Sequence, residues 1–236
     1  MARHTVDELK SMAGRDAART VGSGMRLGLG TGSTVAHFLE SLGARIARGD
    51  VTDVAGVPTS IRTGDACRRL GIPLGTLEEL APLDLTVDGA DEVAPGLDLI
   101  KGLGGALLRE KMVAQASRRM IVIVDDTKIV DRLGQTAPVP VEVVPFEFAS
   151  HLVWFTRLGA DPVIRRDGEG VMYRTDNANL IVDCRFPGGI DDPAELEGRL
   201  ARRAGVVESG LFLGLADEAI VAGDGGVRRI GGEGVS

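Results

Sequence analysis

Two aspartates follow a short apolar run in the segment LTVDGADEV, residues 85–93. Asp88 ends the run, and Asp91 follows three residues later. A plain surface turn does not need two acids placed this way after a buried strand, so the pair is a candidate for acid–base chemistry. The spacing leaves open a simpler role for Asp88 as a turn or helix-capping residue.

Glu110, in the segment ALLREKMVA, is a candidate general base. At about 100° per residue it shares a helix face with four apolar residues, Ala106, Leu107, Val113 and Ala114. A carboxylate on such a face is costly unless it has a partner or a task, and withdrawal from water makes it a stronger base near neutral pH. The alternative is a solvated glutamate on a helix whose inward face is Leu108 and Met112.

Two glycine-rich segments are candidates for binding an anion. GTGST, residues 30–34, opens a helical pattern, and such a turn presents backbone N–H groups and the positive end of the helix dipole. It lacks the lysine of a nucleotide P-loop, so a nucleotide is not indicated. In KGLGGA, Lys101 precedes three glycines in four residues, a composition that can surround a developing oxyanion with N–H groups. A helix cap and a flexible loop are the respective alternatives.

Together these segments indicate proton transfer next to a carbonyl in a small phosphorylated substrate. No cofactor is expected. A metal is not expected either, because His4, His37 and His151 are scattered without ligand spacing and none lies near Asp88 in the sequence.

The elements that must position these residues alternate along the first part of the chain. MRLGLG, DVAGVP, LDLTVDGAD and MIVIVDD have the composition of buried strands, and helical patterns separate them. This order predicts an α/β fold, with a mostly parallel Rossmann-like sheet and helices on both faces. Ligands of such sheets bind beyond the carboxyl ends of the strands, where the GTGST turn, Asp88 and Asp125 would lie.

The pattern changes after about residue 130. The proline-punctuated segment APVPVEVVP is followed by a helix over 146–158, by strands in DPVIRR, GVMYRTDN and NLIVDCRF, and by a helix over 192–204. This order predicts a small α+β domain with an antiparallel sheet. We assign residues 1–130 and 206–236 to an α/β catalytic domain and residues 131–205 to the small domain.

Composition excludes several classes of protein. The net charge of -7 argues against binding a nucleic acid backbone. The start, MARHTVDELK, has no apolar signal core, and no apolar run approaches the roughly 18 residues of a membrane span. The two cysteines, Cys67 and Cys184, form no CxxC motif and fit a reducing compartment. We therefore expect a cytoplasmic protein with no membrane partner.

The motifs GLGTGSTV, DGADEV, KGLGGALLREK and PVEVVPF, in this order, resemble those of the type A ribose-5-phosphate isomerases. TDNANLIVD and GVVESGLF extend the resemblance over nearly the whole chain. It implies interconversion of ribose 5-phosphate and ribulose 5-phosphate in the non-oxidative pentose phosphate pathway, without metal or cofactor. It also implies a parallel-sheet domain with a small ferredoxin-like α+β domain, assembled as a homodimer or homotetramer.

The resemblance also implies roles for individual residues. Glu110 would be the base that carries a proton between C2 and C1 through a cis-enediolate, with Asp88, Asp91 and Lys101 as further catalytic groups. Either aspartate could assist ring opening. The implied substrate-binding residues are Thr31, Gly32, Ser33, Thr34, Asp88, Gly89, Ala90, Asp91, Lys101, Gly102, Leu103, Gly104, Lys128 and, by a looser match, Lys10.

Two departures from the family pattern are visible: Leu103 stands where a glycine is frequent, and PTSIRT replaces a serine-rich turn. Related sheets also serve proteins with other functions. A sugar-phosphate-sensing regulator would carry a basic helix-turn-helix, which this sequence lacks. Enzymes that resemble amino-sugar phosphate deaminases or acyl-carrier transferases are disfavoured by DGADEV together with LLREK.

Overall fold

The computed structural model describes residues 4–232, which form two compact units. The first unit comprises the described parts of Met1–Ala90, Arg109–Lys128 and Gly214–Ser236. The second unit comprises Asp91–Leu108 and Ile129–Leu213.

Strands and helices are numbered along the chain. The strands are β1 (Arg26–Leu29), β2 (Ala55–Pro58), β3 (Leu85–Gly89), β4 (Glu92–Val93), β5 (Leu99–Ile100), β6 (Met120–Asp125), β7 (Val139–Val143), β8 (Asp161–Ile164), β9 (Leu180–Arg185), β10 (Val206–Ser209), β11 (Leu211–Phe212), β12 (Glu218–Gly223) and β13 (Gly226–Gly231). The α-helices are α1 (Val6–Arg19), α2 (Ser33–Ala47), α3 (Ile61–Arg69), α4 (Leu77–Leu80), α5 (Leu107–Gln115), α6 (Ala149–Arg157) and α7 (Pro193–Ala201).

The first unit is built on a six-stranded sheet in the order β13-β12-β6-β3-β1-β2. All neighbours are parallel except the edge pair β12–β13. β6 is buried along its whole length, as a strand covered on both faces must be. The predicted mostly parallel sheet is thus confirmed.

Helices cover both faces of this sheet. Leu27 and Leu29 of β1 pack into a core cluster with residues of α1 and α2. Gly28 lies between them and points the other way, where a Cβ would meet Val113 of α5 at 2.6 Å. α1 begins with a complete capping box, in which the Thr5 hydroxyl accepts from the Glu8 N–H and the Glu8 carboxylate accepts from the Thr5 N–H.

The second unit contains a four-stranded antiparallel sheet in the order β10-β7-β9-β8. The chain order β7-α6-β8-β9-α7-β10 is that of a ferredoxin-like α+β domain, as predicted. Alternate residues of β7, namely Val139, Val141 and Val143, enter one apolar cluster with Phe155 of α6 and with residues of α7. A short three-stranded sheet, β11-β5-β4, belongs to the same unit.

The structure differs from the sequence analysis in two places. GVMYRTDN forms no strand and makes only the isolated bridges Arg166–Met172 and Arg174–Leu180. A turn at Asp176 and Asn177 ends this segment, and the Ala178 N–H donates to the Thr175 carbonyl across it at 2.9 Å. Residues 91–108 and 206–213 group with the second unit, because β10 pairs with β7 and β11 with β5. The predicted domain boundaries remain a prediction, since compactness does not show which parts fold independently.

No helix within residues 4–232 is long and apolar enough to cross a membrane.

Candidate active site

The glycine-rich turn lies directly after β1 in the first unit. Gly32, with φ of 144°, is the N-cap of α2, and no side chain caps this helix. The first N–H groups of α2 and the positive end of its dipole therefore face outward from the turn, as an anion requires. Ser33 is exposed and Thr34 is half-buried.

Thr31 lies in a cluster of four buried hydroxyls, which we name the hydroxyl cluster (Thr31, Thr59, Ser60 and Thr63). Thr31 Oγ1 is 2.8 Å from the hydroxyls of Thr59 and Ser60 and 2.9 Å from that of Thr63. Thr63 Oγ1 donates to the Gly30 carbonyl at 2.9 Å. The Thr31 hydroxyl is thus engaged inside the unit, so its contribution is to fix the turn from behind.

Asp88 is fully buried at the end of β3. Its Oδ1 accepts hydrogen bonds from the N–H groups of Thr31 at 3.0 Å and Gly89 at 2.8 Å. The two amides hold the Asp88 carboxylate in a fixed orientation. Gly30 allows this approach, because a Cβ there would lie 2.2 Å from Asp88 Oδ1. Gly89 and Ala90, which follow Asp88, are half-buried.

Glu110 lies on the buried face of α5. Only 3% of its surface is exposed, whereas Met112 is 50% exposed. Leu107, Val113 and Ala114 are buried as well, so the expected apolar face is confirmed and the alternative with Met112 inward is wrong. A carboxylate in this setting has lost most of its water, which is the setting of a general base.

Asp91 and the glycine-rich loop of residues 101–105 belong to the second unit. Asp91 is half-buried, and its Oδ2 accepts a hydrogen bond from the Leu103 N–H at 2.9 Å. Leu103 itself is 42% exposed, so its side chain does not fill the loop. The departure from glycine at this position is therefore accommodated on the surface.

Lys101, the lysine of this loop, is almost completely buried, with 2% of its surface exposed. Its N–H donates to the Gly210 carbonyl at 2.9 Å, and its Nζ lies 5.3 Å from the centre of the Phe212 ring. A cation held against an aromatic face and stripped of water acts strongly on any nearby anion. Gly102 is buried and Gly104 exposed.

The remaining predicted residues lie elsewhere in the first unit. Lys10 is half-buried on α1, and Lys128 is half-buried at the end of the short 3-10 helix Asp126–Lys128. Neither lysine forms an ion pair with another residue of the described chain. Within the described residues, no carboxylate therefore competes with an external anion for either ammonium group.

Sequence reasoning missed Thr59, Ser60 and Thr63 as partners of the turn. Their signal is the hydroxyl-rich segment TSIRT after β2, which was noted only as a departure from a serine-rich turn. Because β2 is parallel to β1, the ends of the two strands meet at one edge of the sheet, which could have indicated the cluster. Arg165, which binds the 101–105 loop, carried no comparable signal.

Comparison with known proteins places the chain in a family. The sequence model of "Ribose 5-phosphate isomerase A (phosphoriboisomerase A)" matches residues 55–226. Ribose-5-phosphate isomerase A of Gloeobacter violaceus is 52% identical over 223 residues, which cover 94% of this chain and 95% of that protein.

Two solved structures agree with this match. D-ribose-5-phosphate isomerase in complex with phospho-erythronic acid has a TM-score of 0.94 and 39% identity, covering 97% of this chain and 100% of that one. Ribose 5-phosphate isomerase from Plasmodium falciparum has a TM-score of 0.93 and 38% identity, covering 96% of this chain and 99% of that one. The chain therefore belongs to the ribose 5-phosphate isomerase A family.

Proposed function

We propose that this chain interconverts ribose 5-phosphate and ribulose 5-phosphate by proton transfer, as a step of the non-oxidative pentose phosphate pathway. The observation that carries the proposal is the burial of Glu110, 3% exposed on the apolar face of α5, in a chain that matches the isomerase family along most of its length. A carboxylate so withdrawn from water needs a partner or a task, and abstraction of a carbon-bound proton is a task that suits it.

The phosphate is assigned to the turn before α2. The N–H groups of the first turn of α2 and the hydroxyls of Ser33 and Thr34 supply neutral donors. Lys10 and Lys128 supply positive charge, and both lack a competing ion pair within residues 4–232. Gly32, Gly89, Ala90, Gly102 and Gly104 contribute backbone to the substrate-binding stretches.

Ring opening requires a proton to leave the anomeric hydroxyl and another to reach the ring oxygen. Asp88 or Asp91 carries these transfers. Asp88 is the more firmly oriented, with two amides on Oδ1, and Asp91 is the more exposed to solvent. A carboxylate that must exchange protons with a substrate benefits from such fixed geometry.

Isomerisation proceeds from the open aldose. Glu110 removes the proton from C2, the C1–C2 double bond forms, and negative charge develops on O1 of a cis-enediolate. Lys101 and the N–H groups of the 101–105 loop stabilise that charge. Glu110 then returns the proton to C1, while the hydroxyl proton on O2 passes to O1 and the C2 carbonyl forms. One base serves both carbons because they are adjacent and the intermediate is planar.

The bound compound of one relative supports this assignment. The structure with a TM-score of 0.94 holds phospho-erythronic acid. A phosphorylated sugar acid combines a phosphate with a planar, negatively charged group, as the enediolate does. Compounds that resemble the transition state bind more tightly than substrates do.

The test is an assay of the purified chain with ribose 5-phosphate in EDTA, following ribulose 5-phosphate. We expect ketose formation that EDTA does not abolish and that phospho-erythronic acid inhibits competitively. A parallel assay with an amino-sugar phosphate, following ammonia, should give no product. Absence of ketose, or loss of activity on chelation, would contradict the proposal.

Assembly as a homodimer or homotetramer in the cytoplasm is part of the same proposal. It is supported by the resemblance of the motifs to the family. Light scattering during size-exclusion chromatography of the purified chain checks the subunit number. A mass of one chain at the concentrations used in the assay would contradict the assembly.

A further inference from the structure

The loop of residues 101–105 is held by an arginine that the proposed reaction does not use. Arg165 follows β8, and its Nη1 donates to the Gly102 carbonyl at 2.9 Å and to the Leu103 carbonyl at 3.0 Å. Both contacts lie within the second unit. One guanidinium thus binds two successive carbonyls of the loop.

Arg165 is itself held in place. Its Nε donates to Asp183 Oδ2 at 2.8 Å, and its Nη2 donates to Asp183 Oδ1, which makes a bidentate ion pair. The Tyr173 ring lies 5.9 Å from its Cζ. Only 12% of the arginine side chain and 22% of the aspartate side chain are exposed. The guanidinium is therefore a fixed group, and its own charge is neutralised by Asp183.

The peptide between Gly102 and Leu103 is bound at both ends. Arg165 binds its carbonyl, and Asp91 Oδ2 accepts from its N–H at 2.9 Å. In a trans peptide the carbonyl and the N–H point in opposite directions, so these two contacts fix the plane of the peptide. A candidate catalytic carboxylate and Arg165 hold one peptide from opposite sides.

The next peptide is oriented by the same arginine. Because Arg165 binds the Leu103 carbonyl, the N–H of Gly104 points away from the guanidinium. That N–H makes no hydrogen bond to any residue of the described chain, 4–232. Tyr173 packs against the end of the loop, since a Cβ on Gly105 would lie 2.2 Å from its hydroxyl oxygen. The Gly104 N–H is therefore a loop donor that the described residues leave available to a ligand.

We propose that Arg165 is a positioning residue that orients the 101–105 loop, so that the Gly104 N–H is directed at the negative charge of the enediolate. This inference rests on the proposed isomerase function. Arg165 acts through the loop and has no contact of its own with the substrate. Its loss should therefore lower kcat while KM changes little, because the loop donor matters most in the transition state.

The experiment measures kcat, KM and the thermal midpoint for Arg165→Ala, Arg165→Lys and Asp183→Asn. Lysine cannot reproduce the fork that binds two carbonyls and a carboxylate together. We expect kcat to fall roughly 10–100-fold in the arginine variants, less than for complete removal of an oxyanion donor. The kcat of Asp183→Asn should also fall, because the substitution loosens the guanidinium of Arg165. Arg166→Ala is the matched control, because within residues 4–232 the Arg166 side chain donates only to the Gly170 carbonyl of its own turn, at 2.7 Å.

Chemical rescue separates positioning from general stability. Guanidinium ion, at concentrations that leave the thermal midpoint unchanged, should restore part of the kcat of Arg165→Ala, and methylammonium should not. If Arg165→Ala does not fold, the kcat of folded Arg165→Lys decides the matter. Wild-type kcat in that variant, or a change confined to KM, would overturn the inference while leaving the isomerase function intact. A wild-type chain that forms no ketose would overturn both.

Discussion

The backbone N–H of Thr31 donates to Asp88 Oδ1 at 3.0 Å, joining the ends of β1 and β3 at one edge of the parallel sheet. The contact links the glycine-rich turn, to which we assign the phosphate, to a candidate proton-transfer residue inside one unit. A substitution that displaces the turn should therefore also displace the Asp88 carboxylate.

Gly30→Ala tests this link. The added Cβ would lie 2.2 Å from Asp88 Oδ1, so the carboxylate or the turn must shift. We expect a loss of about 1–3 kcal/mol in the free energy of unfolding, together with a lower kcat. Urea denaturation and steady-state kinetics measure the two effects. Gly22→Ala is the control, since its nearest atom would be 3.6 Å away. Equal behaviour of the two variants would count against the link.

Thr63→Val tests the hydroxyl cluster. Valine keeps the shape of threonine but removes the donor to the Gly30 carbonyl and a partner of the Thr31 hydroxyl. Unsatisfied buried polar groups should cost about 1–3 kcal/mol of unfolding free energy. KM for ribose 5-phosphate should rise because the turn is less fixed. Thr156→Val is the control, because Thr156 is exposed and its hydroxyl donates to the Leu152 carbonyl of its own helix. An unchanged KM in Thr63→Val would show that the hydroxyl cluster does not contribute to substrate binding.

Lys101 and Lys128 should respond differently to replacement by alanine. Lys101 is assigned to the developing charge, so we expect kcat to fall about 10²–10³-fold, as for loss of an oxyanion donor. Lys128 is assigned to the phosphate, which is equally charged in ground and transition states, so KM should rise with kcat nearly unchanged. Steady-state kinetics of both variants give the comparison. The assignments fail if Lys101→Ala alters only KM.

The stability of the small unit should depend on pH through His151. This imidazole is 3% exposed, and its Nδ1 has no hydrogen-bond partner within residues 4–232. Burial, and then the positive charge of Arg203, lower the pKa of His151 below its ordinary value. The unfolded chain binds a proton near pH 6.5 while the folded chain does so only at lower pH, so stability should fall as the pH drops below about 6.5.

The measurement for His151 is the urea midpoint between pH 8 and pH 5. This range brackets the ordinary histidine pKa of about 6.5. His151→Leu should show a shallower decline than the wild type. His37→Gln, at a half-buried histidine beside Asp7, should keep the steeper decline. Parallel curves for wild type and His151→Leu would contradict the assigned cause.

Much of the fold could be predicted from the sequence, because continuous apolar runs indicate buried strands and helical spacing of apolar residues indicates the helices between them. The runs of β3 and β6 lack alternation, which predicts strands buried on both faces, and both are central in the sheet. The small unit was harder. GVMYRTDN alternates like a strand, but its turn-forming residues prevent a continuous ladder of hydrogen bonds. β10 could be assigned to the small unit only by knowing that it pairs with β7.

The candidate site also contains residues that the sequence could predict and residues that it could not. Glu110 was predictable, since helical spacing alone put it among apolar neighbours, and it is buried. Arg165 was not, because its role depends on two carbonyls more than 60 residues earlier in the chain and on the Asp183 carboxylate, 18 residues later. Local patterns carry no information about such long-range hydrogen bonds to backbone.

The most direct test of the account is the kcat of Glu110→Gln on ribose 5-phosphate. Glutamine preserves the size of the side chain and removes its ability to accept a proton from carbon. We predict a loss in kcat of about 10²–10⁴-fold with KM little changed, while Glu78→Gln, at an exposed glutamate of α4, keeps wild-type activity. A Glu110→Gln enzyme that isomerises ribose 5-phosphate at the wild-type rate would contradict the account.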